Sequence, residues 1–273
     1  MSQENKNKKI NKLIALFTNG AVEDCKKETL KALEIYPTEP FLFNLLGVAH
    51  AETNSFEKAI AYYKKATDLN PEYFEVYNNI GVAYNHWNKP DLAVESLRHA
   101  IKLNPNYAEA FNNLGNSQKE LSSYEDAIES YENALRIDSN YIDALCNLGI
   151  VLGLVEKYPD AEEKYKKALA LDPLSYKINY YFADNLFNQG FYDKAEEIAY
   201  KILEIDKSDP ELNNLIGNIL QKKGKIKSIQ FFREALKNTK RKDVPLNNIG
   251  TLLYEKRKIN SAIRFFCKAV ADN

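Results

Sequence analysis

The sequence predicts an all-α protein, a solenoid of antiparallel helix hairpins, and three observations predict it. The first is a period. Small residues recur at Gly47, Gly81, Gly115, Gly149, Ala183, Gly217 and Gly250, with steps of 34 residues five times and 33 once. Ala59, Ala93, Ala127, Ala161, Ala195, Ser228 and Ala262 share that register, as do Ala66, Ala100, Ala134, Ala168, Ile202, Ala235 and Ala269. Self-similarity at a fixed step of this length marks a repeat architecture. The second observation is helical spacing of apolar residues inside each period. The third is punctuation: Pro37, Pro71, Pro105 and Pro173 fall at one register position.

Each unit opens with a helix. Tyr77, Ile80, Gly81 and Tyr84 step by 3, 1 and 3, which places them on one face. A short polar turn follows, such as Ser122-Ser123 or Gln189-Gly190. The second helix carries Tyr124, Ala127, Ile128, Tyr131, Ala134 and Leu135 on one side, with Glu125, Asp126, Glu129, Glu132 and Arg136 on the other. Proline then stops it, having no donor and clashing with the preceding turn. Pro40, Pro210 and Pro245 fall in the first turn of a new helix, where the missing donor costs nothing. The single short step predicts a one-residue deletion in the turn near Lys225 to Lys227. Two antiparallel helices approach closely only where their crossing side chains are small. Gly115 is therefore expected to face Ala127, and a bulky residue at 115 to overpack the crossing by roughly 1–3 kcal/mol.

Charge narrows the partner. Lys and Arg number 37 and Asp and Glu 38, a net charge of −1, whereas nucleic-acid binders carry a basic excess. The run from Lys237 to Lys242 reads as a solvated loop. No stretch approaches the roughly 18 apolar residues of a membrane span. The opening MSQENKNKKI is polar and has no apolar region behind it, unlike a secretory signal. Cys25, Cys146 and Cys267, odd in number and far apart, fit reduced thiols. A soluble, cytoplasmic protein is expected, with neither nucleic acid nor membrane as partner.

These units resemble the tetratricopeptide repeat. Its pattern wants an aromatic, a Leu-Gly pair, a Tyr, an Ala, an aromatic, an Ala and a final Pro. Residues 74–107 supply Tyr77, Ile80-Gly81, Tyr84, Ala93, Leu97, Ala100 and Pro105. The resemblance spans nearly the whole chain as one solenoid of eight units: 6–39, 40–73, 74–107, 108–141, 142–175, 176–209, 210–242 and 243–273. The first has Leu13 at the glycine position, and the sixth departs at Asn179, Ala183 and Ala199. The resemblance implies a right-handed superhelix whose first helices line a concave groove and whose second helices form the outer wall. It implies a protein or peptide as ligand.

The two residues before each glycine position are expected to face or border that groove. They are Asn44-Leu45, Asn78-Asn79, Asn112-Asn113, Cys146-Asn147, Tyr180-Tyr181, Asn214-Leu215 and Asn247-Asn248. A side-chain amide donates and accepts, so a row of them can pair with the backbone of an extended peptide whatever its sequence. Each such bond contributes roughly 0.5–1.5 kcal/mol, so several must act together. The row looks like the asparagine ladder in the repeats of the nucleocytoplasmic O-linked N-acetylglucosaminyl transferase. The competing reading is that asparagine bridges consecutive first helices. Tyr180 and Tyr181, with Phe187 beyond them, interrupt the row and either anchor an apolar side chain or fill space around Asn179 and Ala183. Asn116 with Asn147, and Asn218 with Asn248, match only the asparagines of the family's carboxylate clamp. Its Lys and Arg positions are unfilled.

No catalytic residue, metal or cofactor is expected. His50, His86 and His99 lack ligand spacing. Gly224-Lys225 lacks the rest of a phosphate loop and reads as a helix-terminating glycine. The last hairpin carries Ile263, Phe266 and Ala269 with no helix after it, so self-association or a downstream domain is expected to cover it. The expectation is a non-catalytic scaffold that binds an extended peptide or protein segment in its groove. The alternative is the substrate-recruiting arm of a larger transferase, a glycosyltransferase or sulfotransferase, with its catalytic domain beyond residue 273.

Overall fold

The computed structural model describes residues 3–271. Among these residues the regular elements are sixteen α-helices and no strand. The chain divides into two compact units, residues 1–147 and 148–273, and the division falls inside α9. The first unit holds α1 (Gln3–Thr18), α2 (Val22–Ile35), α3 (Pro40–Glu52), α4 (Phe56–Leu69), α5 (Phe74–His86), α6 (Pro90–Leu103), α7 (Ala108–Glu120) and α8 (Tyr124–Ile137). After α9 (Ile142–Leu154), the second holds α10 (Tyr158–Leu171), α11 (Tyr176–Asn188), α12 (Tyr192–Leu203), α13 (Pro210–Lys222), α14 (Ser228–Asn238), α15 (Asp243–Glu255) and α16 (Ile259–Ala271).

The turn inside each hairpin rests on one residue with left-handed backbone. Gly20, Asn54, Asn88, Ser122, Glu156, Gly190, Gly224 and Arg257 all have positive φ, and they follow the repeat step. In the sixth hairpin the amide of Gly190 donates to the carbonyl of Phe187 and that of Phe191 to Leu186, both at 2.9 Å. This doubled bond satisfies carbonyls that the ending helix leaves unpaired. Glycine adopts the conformation freely. Glu156 and Arg257 hold it at φ 60° and 56° against the contact of Cβ with the next carbonyl. The deletion lies where the register predicts it. Ser228, which begins α14, matches Ala195 three residues inside α12, so the fourteenth helix has lost its opening residues to the 225–227 turn.

The ends of four second helices, α4, α6, α8 and α12, are closed by a short side chain. Asn70 Oδ1 accepts from the amide of Glu72, Asn104 from Asn106, Asp138 from Asn140 and Asp206 from Ser208, at 2.8–3.2 Å. Asn and Asp favour such turns because their side chains reach their own backbone two residues on. Pro40, Pro90 and Pro210 start α3, α6 and α13.

The repeated glycine does not face the small residue of the second helix. Gly115 was expected against Ala127, but the ring of Tyr131 lies over it, and a Cβ on Gly115 would come 2.6 Å from Tyr131 Cε1. The reason is directional: a helical side chain leans toward its own N-terminus and covers the turn before it. Tyr63, Leu97, Tyr165, Phe232 and Phe266 cover Gly47, Gly81, Gly149, Gly217 and Gly250 in the same way. Where the glycine is missing, the residue at the covering position is small. Ala183 corresponds to Ala199 and Leu13 to Thr29, and all four are buried.

Replacing Gly115 by Ala is expected to lower the unfolding free energy by about 1–3 kcal/mol, read from the urea midpoint. Adding Tyr131→Ala should make the pair non-additive, since the second change removes the atoms the first collides with. Glu156→Gly is expected to raise stability by about 0.5–1 kcal/mol, because relief of the left-handed backbone outweighs the freer unfolded chain.

Candidate functional site

The asparagines of the first helices bond to one another by one rule. The second residue of the pair in one repeat donates through Nδ2 to Oδ1 of the first residue of the pair in the repeat before. Asn79 donates to Asn44 at 3.1 Å, Asn113 to Asn78 at 2.9 Å, Asn147 to Asn112 at 3.0 Å and Asn248 to Asn214 at 3.4 Å. The bridging reading therefore describes what these amides do within each unit. Burial then sorts them. Asn78, Asn112 and Asn147 are buried, whereas Asn44, Asn79, Asn113, Asn116, Asn214, Asn218 and Asn248 are half-buried and Asn247 is exposed.

The buried amides are the most fully paired. Asn78 also donates to Glu109 Oε1 at 3.0 Å and to the Tyr107 hydroxyl at 3.4 Å. Tyr107 in turn donates to Glu109 Oε2 at 3.2 Å, and burial, helped by that carboxylate, pushes its phenol pKa up. Asn147 donates a second bond, at 3.2 Å, to Asn116 Oδ1, which also accepts from the Tyr131 hydroxyl at 2.8 Å. The ring that fills the glycine crossing thus holds the asparagine row by its other end.

The sequence reading missed several polar positions. Asn85 Nδ2 donates to Ser117 Oγ at 2.8 Å, a further bridge between first helices. Asn179, read as a departure, is buried and donates to the carbonyls of Pro173 and Ser175, as Asn213 does to those of Lys207 and Asp209. Both secure the loop that enters their helix. A comparison of residues 34 apart would have shown that pair.

The interruption at Tyr180 and Tyr181 has its own structure. Both rings are half-buried and meet edge to face, with centroids 5.3 Å apart, while Phe187 packs on Tyr192. Burial, and after it the Asp184 carboxylate, raises the pKa of the Tyr180 phenol. Tyr181 borders a cavity of about 130 Å³ between α9, α10 and α11, together with Gly153, Tyr158, Tyr165, Asp184 and Asn185. Burial pushes the Asp184 carboxyl up, and a bond from Asn188 Nδ2 at 3.3 Å only partly opposes this. Asn185 is 3% exposed; its Oδ1 accepts from Gln189 at 2.7 Å and its Nδ2 has no partner.

The histidines lie against rings: His50 stacks on Tyr62 and His86 on Phe56, and His99 packs tilted on Tyr77. Among the described residues no group of three or more His, Cys, Asp or Glu is placed to hold a metal ion, and no helix is long and apolar enough to cross a membrane.

Family models described as TPR repeat or tetratricopeptide repeat match residues 47–85 with 119–154, 74–107, 96–129 and 155–219. The hairpins are tetratricopeptide repeats. Among solved structures, the Cut9 and Hcn1 hetero-tetramer of the APC/C aligns at 18% identity over 97% of this chain and 52% of that one, with a TM-score of 0.72. A tetratricopeptide repeat protein from Parabacteroides merdae aligns at 16% identity over 94% of this chain and 98% of that one, TM-score 0.69. YrrB, described as a TPR protein with an unusual peptide-binding site, aligns at 23% identity over 67% and 95%, TM-score 0.55. No curated protein matches.

Asn78→Ala is expected to cost about 1–3 kcal/mol in thermal or urea unfolding, since it strands the partners of a buried amide, whereas Asn247→Ala should change nothing measurable. Asp184→Asn is expected to stabilise the protein at neutral pH. The folded-state pKa of Asp184 is raised, so its ionised form opposes folding above that pKa and the effect vanishes below the ordinary carboxylate value. The stability gap between variant and parent, followed by melting at pH 7 and pH 3, should therefore close in acid.

Proposed function

We propose that this chain is a non-catalytic scaffold that holds an extended peptide or protein segment along its first helices. The observation that carries the reading is the one-sided use of the half-buried amides. Asn79, Asn113 and Asn248 spend Nδ2 on the preceding repeat. That leaves their Oδ1 atoms to accept from the N–H groups of a peptide, while Asn214, which spends Oδ1, keeps Nδ2 to donate. In the first unit the deeper amides hold two of the outer ones, Asn78 accepting from Asn113 and Asn147 donating to Asn116. The space beside these positions supports the reading, because Asn79 in the first unit and Tyr181 in the second each border a cavity. Fixed amides at one step per repeat suit a main chain, which offers the same donors and acceptors in every sequence.

The peptide-binding site named for YrrB, and the assembly named for Cut9 and Hcn1, are consistent with a protein partner here. The rival, a recruiting arm of a larger transferase, rests on the likeness of the asparagine row alone. The test is a peptide selected from a random library by phage display against the purified chain. Replacing Asn79, Asn113 and Asn248 together by Ala should weaken that peptide at least tenfold in anisotropy titrations, with the helical circular dichroism unchanged. Equal affinity in the triple variant would remove the asparagine row from the site.

A further inference from the structure

The cavity between α9, α10 and α11 has a carboxylate, Asp184, where its counterpart in the first unit has a valine. The two cavities occupy the same place in the repeat. Residues lining the second number 102 higher, three steps of 34, than those lining the first: Tyr158 for Phe56, Tyr165 for Tyr63, Tyr181 for Asn79. At the position of Val82 stands Asp184, and at that of Ala83 stands Asn185. The other repeats place Val48, Asn116, Ile150, Asn218 and Thr251 where Asp184 sits, none of them a carboxylate.

This carboxylate has a neutral partner, Asn188, and among the described residues it forms no salt bridge. An anion drawn out of water without a counter-charge is unfavourable, and folding alone gives no reason to keep it there. Its surroundings suit the missing partner. Tyr158, Tyr165 and Tyr181 line the same cavity, and the faces of aromatic rings attract cations. A second unfilled group lies alongside. Asn185 is pinned by Gln189, and its unpaired Nδ2 faces Gly153, where a Cβ would stand 3.8 Å away. The absent side chain at Gly153 leaves that approach uncrowded. A volume of about 130 Å³ is on the scale of one side chain.

We propose that this cavity is a pocket for one basic side chain, lysine or arginine, of the bound segment, with Asp184 pairing its charged head, the tyrosines flanking its stem and Asn185 Nδ2 donating to a nearby main-chain carbonyl. The proposal rests on the peptide-binding reading above and adds a sequence preference to it. The first-unit cavity has Val82 and Ala83 at those places, and its own carboxylate, Glu52, stands at the position of Leu154.

The test uses four peptides, acetyl-Ser-Ala-Xaa-Ala-Ser-amide with arginine, lysine, norleucine or glutamate at Xaa, titrated into the ¹⁵N-labelled chain and followed by NMR. The arginine and lysine peptides should shift the amides of Gly153, Asp184 and Asn188 and bind at least tenfold tighter than the norleucine peptide, with the glutamate peptide weakest. In Asp184→Asn the cationic peptides should fall to the norleucine level while the helical circular dichroism stays unchanged. Norleucine binding as tightly as arginine, or an arginine preference that survives Asp184→Asn, overturns the proposal. Binding that shifts Asn79 and Asn113 but not Gly153 rejects this pocket and leaves the groove reading standing. If none of the peptides shifts any resonance, the pocket falls and the groove reading loses its support as well.

Discussion

The closeness of glycine to ring at the hairpin crossing constrains everything else. An aromatic or leucine side chain lies flat on a helix that has no Cβ to hold it off, so the two helices of a hairpin approach within the thickness of one ring. Size is conserved across the crossing rather than at either position, as Ala183 with Ala199 and Leu13 with Thr29 illustrate. Interiors at native packing density tolerate neither an extra methyl group nor a missing one, which is why the two positions change together. The turn follows from the same demand, since helices this close need an abrupt reversal, and one left-handed residue supplies it in each hairpin.

The crossing also prepares the recognition surface. Tyr131 packs on Gly115 and reaches past it to donate to Asn116, which accepts in addition from Asn147. A buried amide must have partners, and a row of amides at one register position can provide them for one another. The consequence is a division of labour by depth. Buried and half-buried asparagines alike bridge successive first helices, and the buried ones carry the additional bonds. Half-buried ones, oriented by that pairing, present what is left of their hydrogen-bonding capacity. The bridging role is visible in the hydrogen bonds between successive repeats.

Repetition makes exceptions informative. Val82 and Asp184 stand at equivalent places in the repeat, and their cavities differ around them, with Asn79 against Tyr181, Ala83 against Asn185 and Glu52 against Leu154. Burial raises the pKa of Asp184, and its hydrogen-bond partner is the neutral Asn188. The same comparison separates Tyr181 from Asn79. At that repeat an aromatic ring stands where the repeat of Asn79 carries an amide.

Much of the architecture was legible because it is local and periodic. The 34-residue step, the helical spacing of Tyr77, Ile80 and Tyr84, the stopping prolines and the deletion at 225–227 are properties of neighbours along the chain, and periodicity exposes them without coordinates. The sequence by itself determined sixteen helices, their turns and the faces they bury. Only the tertiary structure decided that Tyr131 rather than Ala127 meets Gly115, that Asn113 bonds to Asn78, that Asn179 closes a loop, and that Asp184 lies beside a cavity without a counter-ion. The physical reason is that spacing specifies a direction from the helix axis, whereas contact depends on how far a side chain leans and on what a residue one or more turns away, or 34 residues away, leaves uncovered.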